Sequence, residues 1–284
     1  MGIMIGIIGG TGLYQMDGLT NLETREMETP FGPPSAPLTL GRIGDRPVAF
    51  LPRHGLKHQL MPGEINYRAN LWALKAAGVK RVIGVSAVGS LQLEIAPGDL
   101  ALPNQYIDFT KGKRAHTFFG EGLVAHISTA EPVCPSLSAS IVDAAGHTHN
   151  LLHTEKVYAC VEGPRLGTRA ESMFLKLSGG DIVGMTNVPE AFLAREAQLC
   201  YSTICVATDY DCWLDDPDQH AAIEGILALY GKNLDRVKAI LRRVLETEST
   251  IGSCPCGEAL KYAVVTDEAA LGLGQKEILA FLRK

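Results

Sequence analysis

The stretch TICVATDYDCW, residues 203–213, decides how the chain is read. Its apolar run from Ile204 to Ala207 has the composition of a strand buried on both faces. The run ends in Thr208, Asp209, Tyr210 and Asp211. Open α/β sheets bind ligands in the crevice beyond the carboxyl ends of their strands, so an apolar strand that delivers two acids there marks a site. Residues two apart in extended chain point the same way, and both carboxylates can then address one ligand edge. Paired acceptors suit a donor-rich partner, such as the amino group and protonated ring nitrogen of a purine. A solvated turn competes with that reading, because Asp is common in turns.

The same pattern, an apolar run closing in small or polar residues, recurs along the chain. Met4 to Ile8 leads into Gly9-Gly10-Thr11-Gly12, where glycines let backbone N–H groups approach an anion. Pro47 to Leu51 ends in Pro52-Arg53-His54-Gly55. Arg81 to Val85 turns through Ser86-Ala87-Val88-Gly89-Ser90, and Asp181 to Gly184 ends in Met185-Thr186. Val157 to Val161 leads to Glu162-Gly163-Pro164-Arg165. Helices are expected at 66–77, capped by Asn66 and stopped by Gly78, and at 187–199, with Asn187 as cap and Glu190 in capping-box spacing. A long amphipathic helix is expected at 220–246 and a terminal one at 275–282, with a strand at 261–265. Residues 20–46 read as loop with short antiparallel strands, and 104–130 shows no clear period. Strands alternating with helices and no linker predict one α/β domain over 1–284, with a central mixed β-sheet flanked by helices.

The strand ends then sort by chemistry. Thr11, Arg53, His54, Ser86, Ala87 and Thr186 offer hydroxyls, cations and backbone N–H groups, the set a phosphate dianion needs, with Thr186 just ahead of a helix N-terminus. Asp209 and Asp211 must bind something else. Read singly, each residue has a plainer role as turn, salt-bridge or loop residue.

Composition narrows the classes. With 284 residues the chain is long enough for a sizeable core. A net charge of −5 argues against nucleic acid as a partner, and no run approaches transmembrane length. The N-terminus MGIMIGIIGG lacks a basic leader, and seven cysteines in mostly apolar contexts suit a cytoplasmic protein. There is no GxGxxG, no GxxxxGK[ST] and no GxSxG, which disfavours a dinucleotide-dependent oxidoreductase and a serine hydrolase. No metal site is expected: the histidines lack HExxH spacing, and Cys254-Pro255-Cys256 has no second ligand pair beside it.

The motifs IGIIGGTGL, TPFGPPSAPL, RHG, NYRANLWALK, GSL, AEPVCP, EGPR with RAES, MTNVPE and ATDYDCW, spread over roughly residues 3 to 245, together resemble the 5′-methylthioadenosine phosphorylase branch of the purine nucleoside phosphorylases. The resemblance implies reversible phosphorolysis, with phosphate displacing a purine at C1′, inorganic phosphate as co-substrate and no cofactor. It implies phosphate binding by Thr11, Arg53, His54, Ser86, Ala87 and Thr186, and ribose contact by the Met185 backbone. Asp209 would be the acid at purine N7 and Asp211 the partner of the 6-amino group. His126 would reach the substrate's 5′ end from a neighbouring subunit of a homotrimer. Gly167 lies in Leu166-Gly167-Thr168, where an aromatic and a serine are common in animal members, and Ala222 lies where substrate selectivity is tuned; together they leave the preferred 5′ substituent open. A broader purine nucleoside or 5′-methylthioinosine phosphorylase is the competing expectation, which the acid pair disfavours because a 6-oxo purine presents an acceptor there. The Cys254-Pro255-Cys256 pair resembles the CxC pair of some archaeal relatives from hot environments, where such pairs can be oxidised.

Overall fold

Apolar runs broken by small-residue turns build nine strands, and the intervening amphipathic segments build six helices, among the residues described in this computed structural model: 3–14, 16–215, 223–247 and 254–284. In chain order these are β1 (Met4–Gly9), β2 (Leu19–Arg25), β3 (Leu38–Ile43), β4 (Arg46–Pro52), α1 (Tyr67–Ala76), β5 (Val79–Ser90), β6 (Leu100–Phe109) and α2 (Pro135–His147). There follow β7 (Leu152–Val161), α3 (Arg169–Leu177), β8 (Ile182–Gly184), α4 (Asn187–Glu196), β9 (Cys200–Asp209), α5 (Ile223–Thr247) and α6 (Leu273–Leu282).

The strands form one mixed sheet in the order β2-β3-β4-β1-β5-β8-β7-β6-β9, and β5 also pairs with β9. That extra pairing closes β5, β8, β7, β6 and β9 into a ring, which leaves those strands without a free edge. Strands β4, β1, β5 and β9 run parallel, so their carboxyl ends emerge on one side. The register sets Gly9 beside Pro52, Ser86 beside Cys205 and Gly89 beside Asp209. This is what gathers the polar strand ends into one crevice.

Helices cover both faces. On one, α1, α4 and α6 bury Leu71, Leu74, Ala191, Leu193, Leu279 and Leu282 in a common cluster. On the other, α2 and α5 bury Leu137, Ile141, Val237, Ile240 and Leu241 against β1 and β5. The spacing of Val237, Ile240, Leu241 and Val244 is one helical face, as the periodicity requires. Asn66 caps α1 by accepting the Ala69 N–H at 3.1 Å, and Gly78, at φ +95°, takes the left-handed conformation just past its end.

Several expectations shift. β5 does not turn at Ser86 but runs on to Ser90, because β9 and then β8 continue to satisfy its backbone. Residues 261–265 form no strand; Lys261 and Ala263 donate to carbonyls three residues back, and only an isolated bridge joins Val264 to Ala125. The aperiodic 104–130 begins inside β6, where Asn104, Gln105 and Asp108 interrupt the apolar pattern.

Gly184 closes β8 beneath a fully buried Tyr158. A Cβ there would overlap the Tyr158 hydroxyl and lie 2.6 Å from Cζ. Gly184→Ala should lower the unfolding free energy by about 1–3 kcal/mol through overpacking, read as a lower denaturation midpoint; an unchanged midpoint would refute the close packing.

Candidate active site

Arg53 leaves β4 and turns inward, only 2% exposed. Its Nε and Nη2 grip the Glu190 carboxylate of α4 at 2.7 and 2.8 Å. Nη1 donates to the Val85 carbonyl at 2.8 Å and Nη2 to the Ile8 carbonyl at 3.3 Å. Glu190 also accepts from the Tyr201 hydroxyl of β9 at 2.8 Å. The nearby carboxylate outweighs burial and holds the guanidinium charged. Glu190 therefore makes no capping box: it is drawn into the core by Arg53, and Asn187 instead accepts from Ser86 Oγ at 3.0 Å. A bidentate, charge-assisted ion pair is stronger than a single bond to a helix-end N–H, so the longer-range partner wins.

Ser86 and Thr186 meet across the crevice, their hydroxyl oxygens 3.3 Å apart and both buried. Ala87, next along β5, is exposed. Thr186 rather than Asn187 occupies the cap position of α4, with no side-chain cap bond. The helix is interrupted directly afterwards at Val188, whose φ of −113° and ψ of 125° are extended. The expected uninterrupted helix N-terminus behind Thr186 is thus broken after one residue, which weakens the dipole argument.

The two acids are close but not arranged as extended chain would place them. β9 ends at Asp209, and Asp211 sits in a turn with φ of 51°. Asp209 Oδ1 accepts the Asp211 N–H at 2.7 Å, the local turn bond that Asp favours. Asp209 Oδ2 lies 2.7 Å from Thr208 Oγ1, which is also 3.2 Å from the Val88 carbonyl. The Thr208 hydroxyl has one proton, and the carbonyl can only accept. The hydroxyl donates to the nearer Asp209 Oδ2, with the Val88 carbonyl as the more distant acceptor. Burial, with the Asp211 charge adding to it, raises the Asp209 pKa above the ordinary carboxylate value, against the hydrogen bonds from Thr208 and the Asp211 N–H. Gly89 makes room: a Cβ there would lie 3.1 Å from Asp209 Oδ1 and 3.1 Å from Asp211 Cβ. Gly167 also borders the acids, its Cβ position 3.8 Å from Asp211 Oδ2 and its carbonyl accepting from Cys212 Sγ at 3.4 Å.

His54 is half-buried, with Nδ1 2.8 Å from the Leu60 carbonyl and the His58 ring stacked at 4.5 Å. A carbonyl accepts only, so Nδ1 carries the hydrogen and Nε2 a lone pair. Burial lowers its pKa from the ordinary 6.5 to about 4. At neutral pH His54 is therefore a neutral acceptor, not the cation its sequence position suggests.

Met185 follows β8, and its carbonyl accepts from Arg114 Nη1 at 2.7 Å. Arg114 was not singled out in the sequence, where it stands in Lys-Gly-Lys-Arg with no periodic signal. It is buried and also donates to the carbonyls of Val188 at 2.6 Å and Glu162 at 2.9 Å, so it props the whole 185–188 turn. His126 is exposed, and its own N–H is tied to the Ala263 carbonyl in the C-terminal segment at 2.8 Å. The backbone of Thr11 opens a 3₁₀ turn after β1, but its side chain, like all of Ala222, lies outside the described residues. A separate open concavity lined by Ile3, Arg42, Asp45 and Gly78 lies where β1 and β4 begin, at the opposite end of the sheet. Cys254 and Cys256, left without a second pair by spacing, meet Cys134 and Cys200 in the fold.

Residues 4–246 match the family model of the phosphorylase superfamily. The S-methyl-5′-thioadenosine phosphorylase of Geobacter sulfurreducens is 47% identical over 97% of this chain and 96% of its own. That of Nitrosopumilus maritimus is 45% identical over 92% of this chain and 98% of its own. Among solved structures, a methylthioadenosine phosphorylase sourced from an antarctic soil metagenomic library superposes with a TM-score of 0.93 at 42% identity, covering 99% of each chain. The methylthioadenosine phosphorylase from Schistosoma mansoni in complex with adenine gives 0.83 at 37% identity, over 87% of this chain and 92% of that one.

The His54 environment has a consequence for stability. The folded chain binds this proton less readily than the unfolded one, so stability is full above the ordinary pKa and is lost as pH falls from about 6.5 to about 4. Wild type should lose more unfolding free energy than His54→Gln between about pH 7 and pH 4.5 in denaturant titrations. Equal losses would contradict a buried neutral imidazole.

Proposed function

We propose that this chain, which belongs to the phosphorylase superfamily, cleaves 5′-methylthioadenosine with inorganic phosphate, giving adenine and 5-methylthioribose 1-phosphate. It is a pentosyltransferase. A phosphate oxygen bonds to C1′ as the C1′–N9 bond breaks, and the bonding pair leaves with the purine.

The observation that carries the residue assignment is the β5–β9 register. It sets the Ser86–Thr186 hydroxyl pair about three residues, or roughly 10 Å, from Asp209 along one strand, room for a ribosyl group between an anion and a base. Ser86, Thr186 and the Ala87 N–H are assigned to phosphate, with Thr11 and the remaining hydrogen-bonding capacity of Arg53 and His54. His54 Nε2, an acceptor, suits a P–OH of the phosphate. Asp209, a carboxyl disposed to hold its proton, is assigned as the acid at N7, which makes the purine a better leaving group. Asp211 is assigned to the 6-amino group and the Met185 backbone to the ribose hydroxyls. As C1′–N9 cleaves, positive charge grows on the sugar, and the adjacent phosphate supplies both nucleophile and counter-charge.

The chain is taken to act as a homotrimer in the cytoplasm, without a cofactor, with His126 facing a neighbour's 5′ substituent. The exposure of His126 supports that reading. Gly167 borders Asp211 and is assigned, with Ala222, to substrate selection. Among the described residues no helix is long and apolar enough to cross a membrane.

Base release should be followed from methylthioadenosine, adenosine, methylthioinosine and inosine, each with and without phosphate. Phosphate-dependent adenine release, fastest from methylthioadenosine, is expected. Asp209→Asn should reduce kcat by about 10²–10⁴ with its fold retained. Hypoxanthine release at equal efficiency would overturn the substrate assignment, and full activity in Asp209→Asn would remove its acid role.

A further inference from the structure

Four thiols from three distant parts of the chain converge: the Sγ atoms of Cys134, Cys200, Cys254 and Cys256 all lie within 4.8 Å of one another. Cys134 is the cap residue of α2, ahead of Pro135. Cys200 opens β9, and Cys254 and Cys256 flank Pro255 in the 3₁₀ turn Pro255–Glu258. Cys134, Cys200 and Cys256 are buried, with relative exposures of 1%, 9% and 2%. The gathering is selective. Cys160 instead donates to the Val188 carbonyl, and Cys212 to the Gly167 carbonyl.

A core has little use for four adjoining S–H groups, which are weak hydrogen-bonders and pack less apolar volume than Leu or Ile. Their arrangement does suit a cation. Zinc bound by four thiolates sits about 2.3 Å from each sulfur, so the edges of the tetrahedron are about 3.8 Å. The sulfurs, all within 4.8 Å of one another and 3.2 Å apart for Cys200 and Cys254, bracket that edge length. The surroundings also suit sulfur-borne negative charge. Arg195 Nη1 donates to Cys256 Sγ at 3.5 Å, and the Leu137 N–H at the start of α2 donates to Cys134 Sγ at 3.4 Å. Such donors around the ligands orient them and offset the excess charge of a tetrathiolate centre.

We propose that Cys134, Cys200, Cys254 and Cys256 form a structural tetrathiolate site for Zn(II). On ligation each thiol releases its proton to solvent and no electron is transferred. The ligand set is closed, with no position left for substrate, so the metal's role is to tie the chain together. It would join the segment that starts at Cys254 to the first residue of β9 and to the cap of α2. That segment carries Leu260, Ala263, Leu271, Leu279 and Leu282 into the cluster with Trp72, Phe118, Phe119 and Leu123, and its Ala263 carbonyl holds the His126 N–H. The centre thus fastens the far end of the chain to the strand that carries Asp209.

The test uses the full chain purified under reducing conditions without chelator. Metal analysis should find about one zinc per chain, released by a thiol-modifying reagent. Replacement by Co(II) alone should give the near-ultraviolet sulfur-to-cobalt charge-transfer band and the intense visible bands of a tetrahedral ion. Cys256→Ser should weaken metal retention at least about tenfold, while Cys212→Ser should retain it fully. Removing the metal with a chelator should speed amide exchange within 254–284. The wild-type cobalt spectrum decides the matter even if a variant fails to fold. A wild-type chain that takes up neither Zn(II) nor Co(II) after reduction would overturn the proposal. So would peptide mapping that finds these cysteines joined in disulfides while the freshly isolated protein holds no metal. None of these readouts depends on phosphorolysis.

Discussion

The buried pair of Arg53 and Glu190 holds the strand ends where the site needs them. Through it β4 is tied to the carbonyl ends of β1 and β5, to α4 and, by Tyr201, to β9. A charged group taken out of water costs several kcal/mol unless it is fully paired, so neither residue tolerates the absence of the other. The geometry of the crevice follows. With Glu190 fixed, α4 is fixed, and with it the Thr186 hydroxyl beside Ser86. With β1, β5 and β9 held in parallel, the acids of β9 fall beside Gly89. A Cβ at that position would press to 3.1 Å from both.

This makes the chemistry one of placement. A hydroxyl pair stands at one end of a short stretch of strand and a buried carboxyl of raised pKa at the other. Arg53 is already matched by Glu190, and His54 is neutral, so the end proposed for phosphate is less cationic than its residue types imply. At the other end the Asp209 carboxyl gains proton affinity from burial and from the neighbouring acid. Arg114 completes the frame by holding three carbonyls of the turns at 162 and 185–188.

Much of this was legible in residues alone, and where it was not the reason is physical. Apolar runs that end in Gly, Ser or Thr located the strand ends, and parallel pairing then had to bring them together. Motif resemblance reached the family. Partners separated by long stretches of chain were illegible. Glu190 stood in capping-box spacing with Asn187, and only the fold shows Arg53, 137 residues away, claiming it. Asp211 matched an extended pattern, but the turn bond to Asp209 put it in the left-handed region. The second pair of thiols beside Cys254 and Cys256 is supplied by Cys134 and Cys200, far beyond any spacing motif. Helix α3 escaped notice: it buries only Ser172 and Leu175, while its apolar Met173, Phe174 and Leu177 stay exposed.

The direct measurement is a double-mutant cycle on the unfolding free energy, using Arg53→Met, Glu190→Gln and the double variant. Each single change should cost about 3–5 kcal/mol, because it strands a buried partner. The double variant should cost less than their sum by at least about 2 kcal/mol. Additive losses would contradict the claim that this pair is the interaction on which the site's architecture rests.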